Sequence, residues 1–206
     1  MHTENKDEMR DRIIEAALKR FTHFSASKTT MNEIAEDLHC SKASLYYYFP
    51  DKNAVHIAVL AKIGESYLQT LEKEANNSEV SAGESLMNTI KIRNNFMTRF
   101  CRLEIFKLMR QASFEAMNNE VKAAKKREWD LMTRIIERGI ESGEFVAVAD
   151  PQELAGILFH ALMGMRLAFM DHPQQFTEEL SDAQLADLEM KQELLLSIFV
   201  KGLKKN

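Results

Sequence analysis

An all-α fold follows from three features of this chain. Gly and Pro are scarce, 7 and 3 in 206 residues, so few turns can be punctuated and the segments between them must be long. Helix-start signatures recur at Thr30-x-x-Glu33, Ser81-x-x-Glu84, Asp150-Pro151-x-Glu153 and Ser181-x-x-Gln184, each with a side-chain oxygen placed to accept from an amide one turn on. Apolar residues return every three or four positions, which is the helical period.

The elements can be justified in order. A first helix is expected over about 7–24, with Ile13, Ile14, Ala17, Leu18 and Phe21 on its inward face. Thr30 and Glu33 form a capping box that opens a second helix, whose Ile34, Ala35 and Leu38 share one face. His39-Cys40 is a turn, and Ser41 caps a third helix over Lys42–Tyr48, where Ala43 and Ser44 are small enough to let the backbone approach a partner closely. A fourth helix begins near Asp51, carries Val55, Val59 and Ile63 with Leu68 and Leu71 beyond, and ends in the polar stretch 74–78. Ser81 opens the next one. Gly139 and Gly143 close a helix that contains Trp129, Asp150-Pro151 opens another that His172-Pro173 closes, and Ser181 opens the last.

Two capped helices joined by a short turn, with an aromatic cluster and a lysine behind them, are how a helix-turn-helix reader of duplex DNA is written. The start of the second helix would meet base edges, while hydroxyls, tyrosines and lysines hold phosphates. The candidate DNA contacts are Thr30, Ser41, Lys42, Ala43, Ser44, Tyr46, Tyr47, Tyr48 and Lys52. Phe49, and in part Tyr46, are expected in the core, since residues three apart share a helical face. Tyr47 and Tyr48 cannot both share that face, so at least one ring must point outward.

The residues Ile13, Ile14, Ala17 and Phe21, then Thr29, Thr30, Ile34 and Ala35, then Ser41, Lys42, Leu45, Tyr46, Phe49 and Lys52 stand in an order and spacing that resembles the TetR family of bacterial transcriptional regulators. The resemblance covers roughly the first quarter of the chain. It departs from the family at Ser25 and His39, where glycine is usual and a positive φ is favoured. It implies a three-helix helix-turn-helix DNA-binding domain over 7–53, with the reader motif at about 29–49, followed by a helical effector-binding and dimerisation domain over 54–206. It further implies a repressor released from its operator by a small molecule.

The second domain offers candidates for both of its tasks. Phe96, Phe100, Phe106, Met109, Trp129, Phe159, His160 and Met163 could line an adaptable apolar pocket, although flexible thioethers equally suit a helical core. Arg93, Arg99 and Arg102 hint at an acidic ligand group. The segment Leu154–Met170 is apolar on nearly every face and the last helix carries a double apolar stripe, so both need cover on more than one side. A two-fold bundle of the last two long helices would supply it, through Leu158, Ala161, Leu162, Met165, Leu188, Leu195 and Phe199.

Charge opposes the DNA reading. Residues 1–52 hold eight Lys plus Arg against nine Asp plus Glu, where a basic surplus is the usual footprint. Lys42–Pro50, however, contains no acid. An alternative therefore stands, a helical ligand-binding or scaffolding protein whose reading helix does not function. No P-loop, Gly-x-Ser-x-Gly elbow, His-Glu-x-x-His or metal-spaced cysteine pair occurs, so neither an enzyme, a metal site nor a cofactor is expected. The two cysteines point to a reducing compartment, with Cys40 expected as a small buried hydrophobe. The charged first dozen residues argue against export, and no uncharged run is long enough to span a bilayer, so a cytoplasmic location is expected.

Overall fold

The computed structural model describes residues 2–101, 114–169 and 181–205, and within them not the side chains of 2–5, 97–101, 114–121, 166, 167, 169 and 182. Eight helices are found among the described residues: α1 His2–Phe24, α2 Met31–Asp37, α3 Lys42–Tyr48, α4 Lys52–Ala75, α5 Ala82–Cys101, α6 Phe114–Glu141, α7 Pro151–Phe169 and α8 Asp182–Leu203. The expected end of α7 at His172-Pro173 lies outside the described residues.

The chain divides into two compact units, a first built on Met1–Glu65 and a second on Ser66–Thr98 together with Phe106–Asn206. The division falls inside α4, so that helix contributes to both. Its opening turns belong with the first unit for a physical reason. His56 sets its ring edge-on to Phe21 at 5.1 Å, Lys62 pairs with Glu15 at 2.7 Å, and Val55, Val59 and Leu60 are buried.

In the first unit the core is made by Ile13, Ile14, Ala17 and Phe21 of α1, Met31, Ile34 and Ala35 of α2, and Leu45 and Phe49 at the end of the third helix. Each such side chain contributes on the order of 1.5–3 kcal/mol of hydrophobic stabilisation. α1 and α2 both end at a positive φ: the Ser25 amide (φ 68°) returns to the Phe21 carbonyl, and His39 (φ 51°) closes α2.

In the second unit, Leu71, Leu86, Ile90, Ile135, Ile136, Leu158 and Leu162 form a continuous core with Leu196 and Val200 of α8. The turn after α6 pins several distant segments together. Gly143 takes φ +77°, the Phe145 amide donates back to the Gly139 carbonyl, and the Phe145 ring fills the space where Gly139 has no side chain. Glu144 accepts from the amides of Ala82 (2.7 Å) and Gly83 (3.1 Å), the start of α5, while the Val146 amide bonds the Leu203 carbonyl. A carboxylate suits a helix N-terminus because amides and dipole there both favour negative charge. Among the described residues no helix is long and apolar enough to cross a membrane.

Candidate nucleic-acid interface

The reader begins with the capping box expected at Thr30. The Thr30 amide donates to Glu33 Oε2 at 2.7 Å, and the Glu33 amide returns to Thr30 Oγ1 at 3.3 Å. Arg20 of α1 then ties α2 in place. Its Nε and Nη2 fork onto the two Asp37 oxygens at 2.6 and 2.7 Å, and its Nη1 lies 3.3 Å from Glu33. The hydrogen bonds from Thr30 hold the Glu33 carboxyl below its usual range, and those from Arg20 do the same for Asp37. A bidentate arginine fixes orientation as well as distance.

The turn is a Schellman closure. The Cys40 amide donates to the Ala35 carbonyl and the His39 amide to that of Glu36, which requires the left-handed backbone His39 adopts. This explains why glycine is favoured there, and Cys40 follows as a half-buried free thiol. Ser41 Oγ then accepts from the Ser44 amide at 3.1 Å and opens α3.

Seven residues of α3 divide cleanly between two faces. Leu45, and Phe49 just after it, are buried, whereas Ser41, Lys42, Ala43, Tyr46 and Tyr47 are exposed and Ser44 and Tyr48 half-buried. Tyr47 is 70% exposed and stands edge-on to Tyr48 at 5.1 Å. Tyr46 corrects the expectation that it belongs partly to the core: at 42% exposure it turns outward, because the apolar pair that docks is Leu45 with Phe49, four apart, and Tyr46 lies to one side of it. Lys42 Nζ hovers 5.8 Å from the Tyr46 ring. No acid stands in the first turn of this helix.

Two candidates are committed inside the fold. Thr30 is exposed, but its hydroxyl is engaged with Glu33. Lys52, expected to meet phosphate, instead delivers its ammonium to the carbonyls of Ala26 (3.1 Å), Ser27 (3.4 Å) and Thr29 (3.0 Å), so its charge holds the loop between α1 and α2. Those carbonyls follow a helix end and have no helical partner, which is why a cation is drawn to them.

The effector candidates are only partly gathered. Phe106 and Met109 lie outside the described residues, as does the Phe100 side chain. Phe159 and Met163 meet around Arg93, which is 6% exposed, pairs with Glu128 at 3.0 Å, touches the Met163 sulfur and lies 5.4 Å from the Phe159 ring. Phe96 stacks on Tyr67 at 4.1 Å. Trp129 donates to the Gln152 carbonyl at 2.8 Å and covers Gly156. His160, expected on a helix buried all round, is exposed beside Trp129, because α7 is left uncovered along one stripe.

That stripe also corrects the dimerisation residues. Leu158, Leu162 and Leu188 are buried in the chain's own core, and Ala161, Met165, Leu195 and Phe199 are half-buried. The apolar residues facing outward are Ile157 on α7 and Met190, Leu194 and Ile198 on α8, the last three four residues apart. The inward stripe of α8 instead runs Leu188, Gln192, Leu196 and Val200, with Gln192 donating to the Leu162 carbonyl. A glutamine with an internal acceptor reads as polar in sequence, so the sequence alone does not show which stripe of α8 enters the chain's own core.

An acid-free helix, capped at its start and following a braced and capped partner helix across a tight turn, defines the class: a helix-turn-helix protein, with a second all-helical unit later in the chain. Residues 13–59 match the family described as bacterial regulatory proteins, tetR family. The HTH-type transcriptional regulator RutR of Escherichia coli K12 is 43% identical over 60 residues, a match spanning 29% of this chain and 28% of that protein. A transcriptional regulator from Cytophaga hutchinsonii, known by crystal structure, is 31% identical with a TM-score of 0.83, covering 94% of this chain and 97% of that one. The SmeT–triclosan complex shares the fold at 19% identity and a TM-score of 0.62, over 96% of this chain and 92% of that one. The chain belongs to the tetR family of bacterial regulatory proteins.

Proposed function

We propose that the protein is a sequence-specific transcriptional repressor that works as a homodimer and is released from operator DNA by a small-molecule effector. The observation that carries this reading is the outward face of α3, where Lys42, Ala43, Tyr46 and Tyr47 stand clear of any acid on a helix fixed by its caps. Small Ala43 lets the helix sit deep in a major groove, Lys42 and Ser41 reach base edges or phosphate, and the tyrosines hold the backbone. The acidic balance over residues 1–52 weighs less than its total suggests, since Glu15 is paired with Lys62, which lies outside that count, and Lys42–Pro50 contains no acid.

Two copies are needed to read an inverted repeat with half-sites about 34 Å apart. Ile157, Met190, Leu194 and Ile198 supply the self-complementary apolar face. Effector control acts through α4. Its far end is held by α6, with Glu72 bonded to Arg127 (2.9 Å) and paired with Arg134 (3.5 Å), and with Arg138 on the carbonyls of Ala75 and Asn77. A ligand lodged near Arg93, Phe159 and Met163 would shift these contacts and bias the separation of the two readers by a coupling of about 1–3 kcal/mol. SmeT, with triclosan bound, supports a small-molecule role for this kind of helical unit.

The test is selection of binding sites from random duplexes, followed by mobility shift with Tyr47→Ala and Ser44→Arg. An enriched inverted repeat whose affinity falls at least tenfold in both variants is expected. An enriched site that ignores both substitutions overturns the assigned reader face. No enriched site at all favours the ligand-binding alternative.

A further inference from the structure

The reader helix is not flanked by its own residues alone. Lys6 Nζ lies 5.1 Å from the centre of the Tyr47 ring, and the Arg10 guanidinium carbon lies 5.1 Å from that of Phe49. Lys6 and Arg10 stand one helical turn apart on the stripe of α1 that continues as Ile13, Ala17 and Phe21, while Glu8, Asp11 and Glu15 occupy the opposite side. Two cations, Lys6 and Arg10, are turned toward the reader while Glu8, Asp11 and Glu15 point away with Arg12 and Lys19, a placement that a count over residues 1–52 cannot reveal.

We propose that Lys6 and Arg10 belong to the DNA-contacting surface, as two phosphate-binding cations beside α3; this rests on the reading of α3 given above. Both side chains are exposed, and neither forms an ion pair with a described residue. Each sets its charged head over an aromatic ring, a contact that restricts the side chain, while its exposure leaves the charge open to solvent. A cation ordered in advance loses less rotamer freedom when a phosphate arrives.

Neutralising one phosphate contributes about 0.9 to the slope of log affinity against log salt, so two residues in each of two protomers should contribute about 3.6. The experiment measures affinity for the selected operator by fluorescence anisotropy from 50 to 200 mM KCl. It compares the wild type with Lys6→Met plus Arg10→Met, which keeps an unbranched side chain and removes the charge, and with Lys6→Arg plus Arg10→Lys, which keeps the charge. Over that range the wild type should lose roughly 150-fold more affinity than the methionine pair, and the charge-conserving pair should follow the wild type. A methionine pair that binds normally with the wild-type slope overturns the proposal. So does one that binds weakly with the wild-type slope, which would make the two residues a brace and nothing more. Tyr47→Ala, run in parallel, separates the readings: if it abolishes binding while the methionine pair leaves the slope intact, only the present inference falls.

Discussion

Replacing Lys52 by methionine separates two roles that a lysine at this place could have. The side chain is half-buried, and its ammonium makes two good bonds to carbonyls, 3.0 Å to Thr29 and 3.1 Å to Ala26, with a third to Ser27 at 3.4 Å. Charge-assisted bonds contribute about 1.5–3 kcal/mol each when shielded, but solvent competes here, so about 2 kcal/mol for the set is the reasonable magnitude. In a chain of this length that lowers the melting temperature by about 4–8 °C. Methionine keeps the stem and removes only the cation. The expected result is a lower melting temperature, weaker operator binding because the loop leading into the Thr30 cap loosens, and a salt slope equal to that of the wild type. A slope reduced by about 1.8 per dimer with unchanged melting would refute the argument and return Lys52 to the phosphates.

Gly139→Ala should destabilise the second unit, because a Cβ there would lie 2.2 Å from Phe145 Cδ2 and 2.9 Å from Ala82 Cβ. Overpacking costs about 1–3 kcal/mol and better helix propensity returns up to about 1, so the urea midpoint should fall, whereas Gly64→Ala, with nothing within 4 Å, should raise it. Glu33 and Asp37 both titrate lower folded than unfolded, so the stability they add is whole above the ordinary carboxylate range and is lost as pH falls below that range through their depressed folded values. Asp37→Asn should flatten that acid limb in melting curves taken from pH 3 to 7. Leu194→Glu with Ile198→Glu should weaken self-association at least about a thousandfold, which sedimentation velocity reads directly; an unchanged dimer would remove α8 from the interface.

The reader was legible because its signals are local. The Thr30–Glu33 box, the Ser41 cap and the turn at His39 each depend on residues within one or two turns, and the positive φ at Ser25 and His39 appears where glycine was expected. What stayed hidden depends on residues far apart in sequence. Lys52 meets Ala26 across 26 positions, Arg20 finds Asp37 across 17, and Gln192 finds an acceptor on α7, so each was read as polar surface or left unassigned. The two apolar stripes of α8 could not be told apart for the same reason: Leu188 and Leu194 look alike until the neighbouring helix buries one and leaves the other exposed. Lys6 and Arg10 escaped notice because their aromatic partners are some forty residues away and the acids between them hide their placement.

The Glu144 clasp has a consequence for the order in which the second unit is assembled. It joins the opening of α5 near residue 82 to the loop at 143–146, which is in turn stitched to residues 203–205. Closing so wide a loop is entropically slow, and the bonds from Val146 to Leu203 and from Lys205 to Glu144 cannot form before those last residues have been synthesised. A nascent chain halted at residue 200 would have Glu144 on the opening of α5 but no stitch from residues 203–205, leaving the hydrophobic interior ajar and open to chaperones.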